Sequence, residues 1–432
     1  MAMPASPLYL GLDFGTGGAR ATLIDGSGEA LWQAREDYRQ AAAQTPADWL
    51  AALRRLLERL PVRLRAQLAG IAVNATSATV LLTDAVSRPL GPALLYNDTR
   101  AEESLAELEA KFRIAHPAAA LPHYLSATSG LAKFHWLVRR PKAAAAARFC
   151  HQADWITTRL SGRPGVSDYH NALKSGFDPG TRSWPDWIAA LPHAALLPTV
   201  LMPGIDLGPI SAEAARRFEL PAACRVRAGT TDSIAAFLAA GVREPGKAVT
   251  SLGTTLVLKL LSERRVEAVE YGIYSHWFGR LWLAGGASNA GGGVLLKFFS
   301  AGRLEELSRR IDPATDSGLD YYPLPAPGER FPVNDPALLP RLAPRPADDA
   351  RFLHGLLEGL ARIEAAGYAR LVQLGATPPR QVLSAGGGAH NSTYTSIRTR
   401  LLNLPIAPAP HTEASYGSAL LARDGTAAFG AL

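Results

Sequence analysis

The chain has 432 residues, 47% of them apolar, and a formal charge of +7. That length exceeds one ordinary core and predicts two domains of ~200 residues each. The excess arginines, among them Arg54, Arg55, Arg139, Arg140, Arg264 and Arg265, are scattered and form no basic tail with interleaved aromatics. They predict a solvated surface with mild steering of phosphorylated ligands, and no nucleic-acid partner. No apolar run reaches about 18 residues, so no membrane helix or membrane partner is expected. Residues 1–6 are too short for a signal peptide. The two cysteines, Cys150 and Cys224, suit core thiols in a reducing cytoplasm.

Residues 8–34 read as two strands and a short third at 30–34. The turn between the first two is Gly15, Thr16, Gly17 and Gly18, and a single acid, Asp13, precedes it. This predicts a β-hairpin with a carboxylate at its rim. Glycines let backbone N–H groups approach an anion, so the turn suits a phosphate and Asp13 suits the accompanying metal. A purely structural turn is the alternative. Apolar residues at helical spacing (Trp49, Leu50, Leu53, Leu56, Leu57, Leu60) predict one amphipathic helix over 46–69. Short strands follow at 71–73 and 80–83, the order of an α/β domain with a mixed sheet. Alanine-rich helices are expected over 101–112 and 142–148. Residues 161–187, rich in Gly, Ser, Pro and Trp, read as a functional loop region.

The sequence AGTTDS at 228–233 brings Asp232 to the start of a helix expected over 233–241. Asp232 reads either as a first-turn acid or as a general base that takes a proton from an attacking hydroxyl. The second half restarts near Lys247. There KAVTSLGTTLVLKLL repeats the strand, Gly-Thr-Thr turn and strand, with a third strand near Trp282. A duplicated hairpin predicts two like-built halves around a nucleotide cleft. Gly285, Gly286, Ser288 and Asn289, with glycines at 291–293, would follow a strand and open a helix near Val294, suiting phosphate or ribose. Pro-rich residues 323–346 read as a surface excursion. Helices are expected over 350–375, 391–402 and 413–422. Between the first two, SAGGGAHN at 384–391 ends a strand in three glycines. These allow close approach of a base or of phosphates, with Asn391 to bond the base and Tyr394 to stack on it; a tight turn is the alternative.

Together, LGLDFGTGGARA, SDYHNALKSGF, AGTTDSIAAFLAAG, TSLGTTLVLKLL, GGASNAGG, SGLDYYPLP and SAGGGAHN resemble the FGGY carbohydrate kinases of the actin/Hsp70/sugar kinase superfamily, over essentially the whole chain. Within that family the chain is similar to the D-ribulose kinase branch, itself xylulose-kinase-like. The resemblance implies an α/β fold of two ribonuclease-H-like (actin-like ATPase) domains, with mixed β-sheets flanked by helices and a nucleotide cleft between them. It implies a sugar-binding domain over 1–240 and a nucleotide-binding domain over 241–432, with the last helix, about 413–432, packing back on the first domain. It implies ATP and Mg²⁺, a small-molecule sugar, and a monomer or homodimer.

By residue, the resemblance places Asp13 near Mg²⁺, the transferring phosphate and the sugar. Thr16, Gly17 and Gly18 would bind phosphates or shape the sugar pocket, with Arg20 close behind. Ser77 would touch the sugar, and Asp232 would be the catalytic base. Gly253 and Thr254 would hold nucleotide phosphates, while Gly286, Gly387, Gly388, Asn391 and Tyr394 would line the adenosine site. Tyr394 stands where related kinases can carry a tryptophan. Residues 74–79 lack the Gly-Gln-x-His-Gly type element of xylulose and glycerol kinases, which favours a D-ribulose substrate over D-xylulose. Asp98 and Arg100 are either sugar contacts or a structural ion pair. His170 or Asn171 would either reach the sugar or close a loop network. A non-catalytic ATP switch and a sugar-sensing protein without turnover are the expectations from other classes.

Overall fold

The computed structural model describes residues 6–430. The chain divides into two compact units, one running to Ala239 and resuming at Glu413, the other Ala240–Thr412.

In the first unit the expected hairpin forms from strands Leu8–Phe14 and Gly18–Ile24. Among the described residues its seven-stranded sheet runs Ala30–Asp37, Gly18–Ile24, Leu8–Phe14, Leu68–Ala75, Arg225–Arg227 and Asp206–Pro209, with Thr230–Thr231 also paired to Leu68–Ala75. Leu8–Phe14 is antiparallel to its hairpin partner and parallel to Leu68–Ala75. The third strand extends to Asp37, beyond the expected 30–34.

Helix Pro46–Arg59 starts on a capping box: Thr45 Oγ1 accepts from the Asp48 N–H, and Asp48 returns a bond to the Thr45 N–H at 2.8 Å. It buries Trp49, Leu53, Leu56 and Leu57. The expected single helix over 46–69 is wrong in length, because Pro61 has no N–H to continue it. A short turn, Val62–Arg65, follows, and residue 68 already begins a strand.

The C-terminal helix Ala414–Asp424 closes this unit. Asn74 Nδ2 donates to Ser418 Oγ at 2.7 Å, and Thr22 Oγ1 meets Ser415 Oγ at 2.7 Å. The fit depends on missing side chains. A Cβ on Gly11 would lie 1.9 Å from the Ser415 carbonyl oxygen, and one on Gly417 would lie 1.8 Å from that of Ala235. Helix Asp232–Ala239 therefore approaches backbone to backbone.

A smaller body of the same unit pairs Val80–Thr83 antiparallel with Arg148–His151. The expected helix over 142–148 is replaced by a 3-10 turn at Pro141–Ala145 and this strand: alanine's helix propensity yields to sheet pairing and the burial of Phe149 and Cys150. The helix expected over 101–112 starts later, as Leu105–Ala115 behind a 3-10 turn.

The second unit repeats the hairpin topology. Lys247–Leu252 is antiparallel to Leu256–Ser262 and parallel to Gln381–Ala385. Four strands, Lys247–Leu252, Leu256–Ser262, Tyr274–Phe278 and Leu281–Ser288, replace the expected three. Helix Asp349–Gln373 packs its Phe352, Leu356, Leu360 and Ile363 into the core. The Pro-rich segment is more than a surface excursion. Phe331 and Glu329 are buried, and Glu329 accepts from Ser288 Oγ at 2.5 Å and from the Asn289 N–H at 2.8 Å.

Candidate active site

In the first unit, Asp13, one residue before the end of its strand, is in register with Arg20 on one side and Asn74 on the other, and Asn74 is in register with Thr230. Asp13 is 3% exposed. Its Oδ2 lies 3.5 Å from Arg20 Nη1, and its Oδ1 has no partner. Arg20 also faces Glu413 at 3.6 Å. Burial pushes the Asp13 pKa up to about 7, the charge of Asp232 adds to the rise, and Arg20 opposes it. Asp232 opens helix Asp232–Ala239 and accepts from the Ser233 N–H at 2.6 Å. The fold thus brings Asp13, Arg20 and Asp232 into one electrostatic neighbourhood.

Thr16 and Gly17 are exposed at the hairpin tip. Their carbonyls are held by Gln44 Nε2 at 3.1 Å and by the Tyr38 N–H at 3.1 Å. Gly18 serves the sheet, since a Cβ there would lie 2.3 Å from the Glu36 carbonyl oxygen. Ser77 is half-buried in the turn after Leu68–Ala75. Asp98 and Arg100 form an ion pair at 2.9 Å. His170 and Asn171 are buried in the short helix Tyr169–Leu173: His170 Nδ1 meets Thr230 Oγ1 at 2.8 Å, and Asn171 Nδ2 donates to Asp168 Oδ2 at 2.6 Å. Asp168 is pushed up to about 7 by burial and by the charge of Asp154.

The second unit holds a cavity of about 770 Å³, within the size range of small-molecule sites. Gly253, Thr254, Gly387, Gly388, Asn391 and Tyr394 line it, as do Gly291 and Gly292. The Gly292 N–H donates to the Gly253 carbonyl at 2.8 Å, and the Gly293 N–H to that of Thr254 at 3.1 Å. A Cβ on Gly291 would lie 2.5 Å from the Thr254 carbonyl oxygen. At 386–388 the positive φ of Gly386 (82°) turns the chain off strand Gln381–Ala385.

Three of the expected site residues carry structural duties. Gly286 is not on the cavity wall. It lies within strand Leu281–Ser288, where a Cβ would come within 2.8 Å of the Phe331 ring, so its glycine serves the core. Asn391 spends its amide on structure, its Oδ1 capping helix Ser392–Leu402 through the Tyr394 N–H at 3.0 Å and its Nδ2 donating to Ser308 Oγ at 2.9 Å. Tyr394 is only 4% exposed, its ring backed by the Arg398 guanidinium at 5.6 Å. The apolar lining comes from leucines, including Leu295, Leu296, Leu304, Leu353 and Leu357. Beneath the wall, Arg398 grips Glu364 at 2.6 and 2.7 Å, and Glu364 accepts from Thr250 Oγ1 at 2.6 Å.

The sequence reading missed Arg398, Glu364 and Glu329. Arg398 meets Glu364, 34 positions away, and Glu329 meets Ser288, 41 positions away, and no local pattern marks these pairings.

Among the described residues no three His, Cys, Asp or Glu side chains group into a metal cage. Mg²⁺ keeps several waters and needs one or two carboxylates. The unpartnered Asp13 Oδ1 beside Asp232 fits such a hydrated ion.

These features define a two-domain α/β protein of actin-like ATPase architecture, with paired carboxylates in one unit and a glycine-walled cavity in the other. Residues 8–239 match the FGGY family of carbohydrate kinases, N-terminal domain, and residues 248–423 match its C-terminal domain. The chain belongs to that family. It is similar to a xylulose kinase of Streptomyces coelicolor, 31% identical over 281 residues that cover 61% of this chain and 56% of that protein. It is also similar to a ribulokinase of Shouchella clausii, 27% identical over 338 residues that cover 62% of this chain and 57% of that protein. The chain thus spans just over half the length of these curated relatives. The crystal structure of a xyloylose kinase from Brucella ovis superposes with a TM-score of 0.84 at 25% identity, covering 98% of this chain and 92% of that one.

Proposed function

We propose that the protein is an ATP-dependent kinase for a ketopentose hydroxyl, with D-ribulose to D-ribulose 5-phosphate as the reaction. The observation that carries this reading is the pair Asp13 and Asp232. One is a buried carboxylate with a bare oxygen, and the other opens a helix directly after Thr230–Thr231, which pairs with Leu68–Ala75 of the same sheet. Membership of a carbohydrate kinase family supports it.

In this reading the sugar lies in the first unit, between Ser77 and Asp232. Asp232 accepts the proton of the attacking hydroxyl as its oxygen bonds to the γ-phosphorus and the bridging P–O bond to ADP breaks. Mg²⁺ bound through water to Asp13 would offset charge on the phosphates. Arg20 holds Asp13 in place and limits the repulsion between the two acids. In the second unit the Gly253–Thr254 turn takes the nucleotide phosphates, and the leucine-lined cavity takes the base.

D-Xylulose is the second substrate reading, favoured by the names of the relatives; the absence of the Gln/His element at 74–79 favours D-ribulose. A coupled ADP-release assay across pentuloses and pentitols decides between them. Sugar-independent ATP hydrolysis would point to a switch, and sugar binding without ADP release to a sensor. Asp232→Asn should lower kcat ~10²-fold or more while ATP binding measured by calorimetry is retained. Near-normal turnover in that variant removes Asp232 from the chemistry.

A further inference from the structure

Lysine is almost never fully buried without partners, because its ammonium loses its hydration. Lys133, in helix Gly130–Leu137, is 0% exposed. Its ammonium donates to the carbonyls of Leu95 at 2.6 Å, Ala78 at 2.9 Å and Tyr96 at 3.2 Å. An ammonium has three N–H bonds, and all three are committed.

The placement of those carbonyls is informative. Ala78 follows Ser77 in its turn and adopts a left-handed backbone, φ 62°, which an alanine holds only when its surroundings impose it. Leu95 and Tyr96 lead directly into residues 97–100, where Asp98 pairs with Arg100. The last backbone contact between the two segments is the mutual pairing of Val80 with Leu94, at 2.8 and 3.0 Å. Beyond it, Lys133 ties the two loops together.

We propose that Lys133 is a positioning residue for the acceptor sugar, stapling the Ser77 turn and the 97–100 loop into the arrangement that binds it. The inference rests on the kinase reading above. Only the charged amine can serve all three carbonyls, since a neutral one turns a lone pair toward one of them. The charges facing it are Asp98, which favours the ammonium, and Lys174, which opposes it. Burial outweighs Asp98 and, with Lys174 adding to it, draws the pKa down to about 7. Protons are therefore lost from the staple as pH rises past neutrality, and sugar binding should weaken in step.

The test is steady-state kinetics of the full chain with the best pentulose, from pH 6 to 8.5, for wild type and Lys133→Met. In the wild type the sugar KM should climb above neutral pH, opposite in sign to the fall in ATP KM expected as Asp13 ionises over the same range. In the variant the sugar KM should be raised about tenfold at pH 6, with kcat changed less than threefold and the pH dependence lost. An unchanged sugar KM in a folded variant overturns the proposal. Should the variant fail to fold, a wild-type sugar KM that is flat with pH overturns it equally. Wild type without turnover on any pentulose or pentitol removes the kinase reading and this inference together. Turnover with a sugar KM insensitive to both pH and substitution removes the inference alone.

Discussion

Replacing Asp13 by asparagine should make the protein less active and more stable, by an amount that depends on pH. The folded chain raises this carboxyl from its ordinary 3.8 to about 7, chiefly by burial and then by the charge of Asp232. At 1.36 kcal/mol per pH unit, the rise corresponds to about 4 kcal/mol of disfavour for the ionised form. The folded state binds this proton more tightly than the unfolded chain does. Its advantage is therefore whole below about pH 4 and is lost as pH climbs through about 7. Asparagine keeps the shape and carries no charge. Asp13→Asn should accordingly gain ~1–2 kcal/mol over wild type at pH 5 and ~4 kcal/mol at pH 8.5 in denaturant unfolding followed by tryptophan fluorescence. Mg²⁺ should stabilise wild type at pH 8.5 and leave the variant unmoved, since a ligand of the native carboxylate shifts the equilibrium by mass action. A gain below ~1 kcal/mol at pH 8.5 would refute the reasoning, because the acid would then sit in the folded protein without strain.

Other perturbations follow from the geometry. Gly291→Ala drives a Cβ to 2.5 Å from the Thr254 carbonyl oxygen. An overpacking cost of ~1–3 kcal/mol should raise the ATP KM about tenfold and leave the sugar KM unmoved. Arg398→Met leaves Glu364 buried without its cation and should cost ~3–5 kcal/mol, read as a lower melting temperature with weakened nucleotide binding. Gly417→Ala would meet the backbone of Ala235 at 1.8 Å; a melting temperature equal to wild type would show that the two helices part freely.

The hairpins were legible because Gly-Thr turns between β-prone runs leave few alternatives, and both recur with the parallel strand each sheet requires. Asp232 was legible as a helix opener for the same local reason. One error was local, and the others arose where the decisive partner is remote. The helix that was read through Pro61 followed apolar spacing past a residue that cannot continue it. The strand Arg148–His151 depends on Val80–Thr83, and no local signal announces that pairing. Gly286 looked like a ligand glycine, but it is small because Phe331, 45 positions later, occupies the space. Lys133 reads as an ordinary helical lysine until the carbonyls it serves are seen, 37 to 55 positions earlier.

The closing helix Ala414–Asp424 also bears on biosynthesis. It is translated after every strand of the first sheet and after all of Ala240–Thr412, yet Gly11, Thr22 and Asn74 are shaped to receive it. On the ribosome, the N-terminal body is made before the helix that covers one face of its sheet, with the compact unit Ala240–Thr412 synthesised in between. The first sheet is therefore completed only by a segment made after the whole of the second unit.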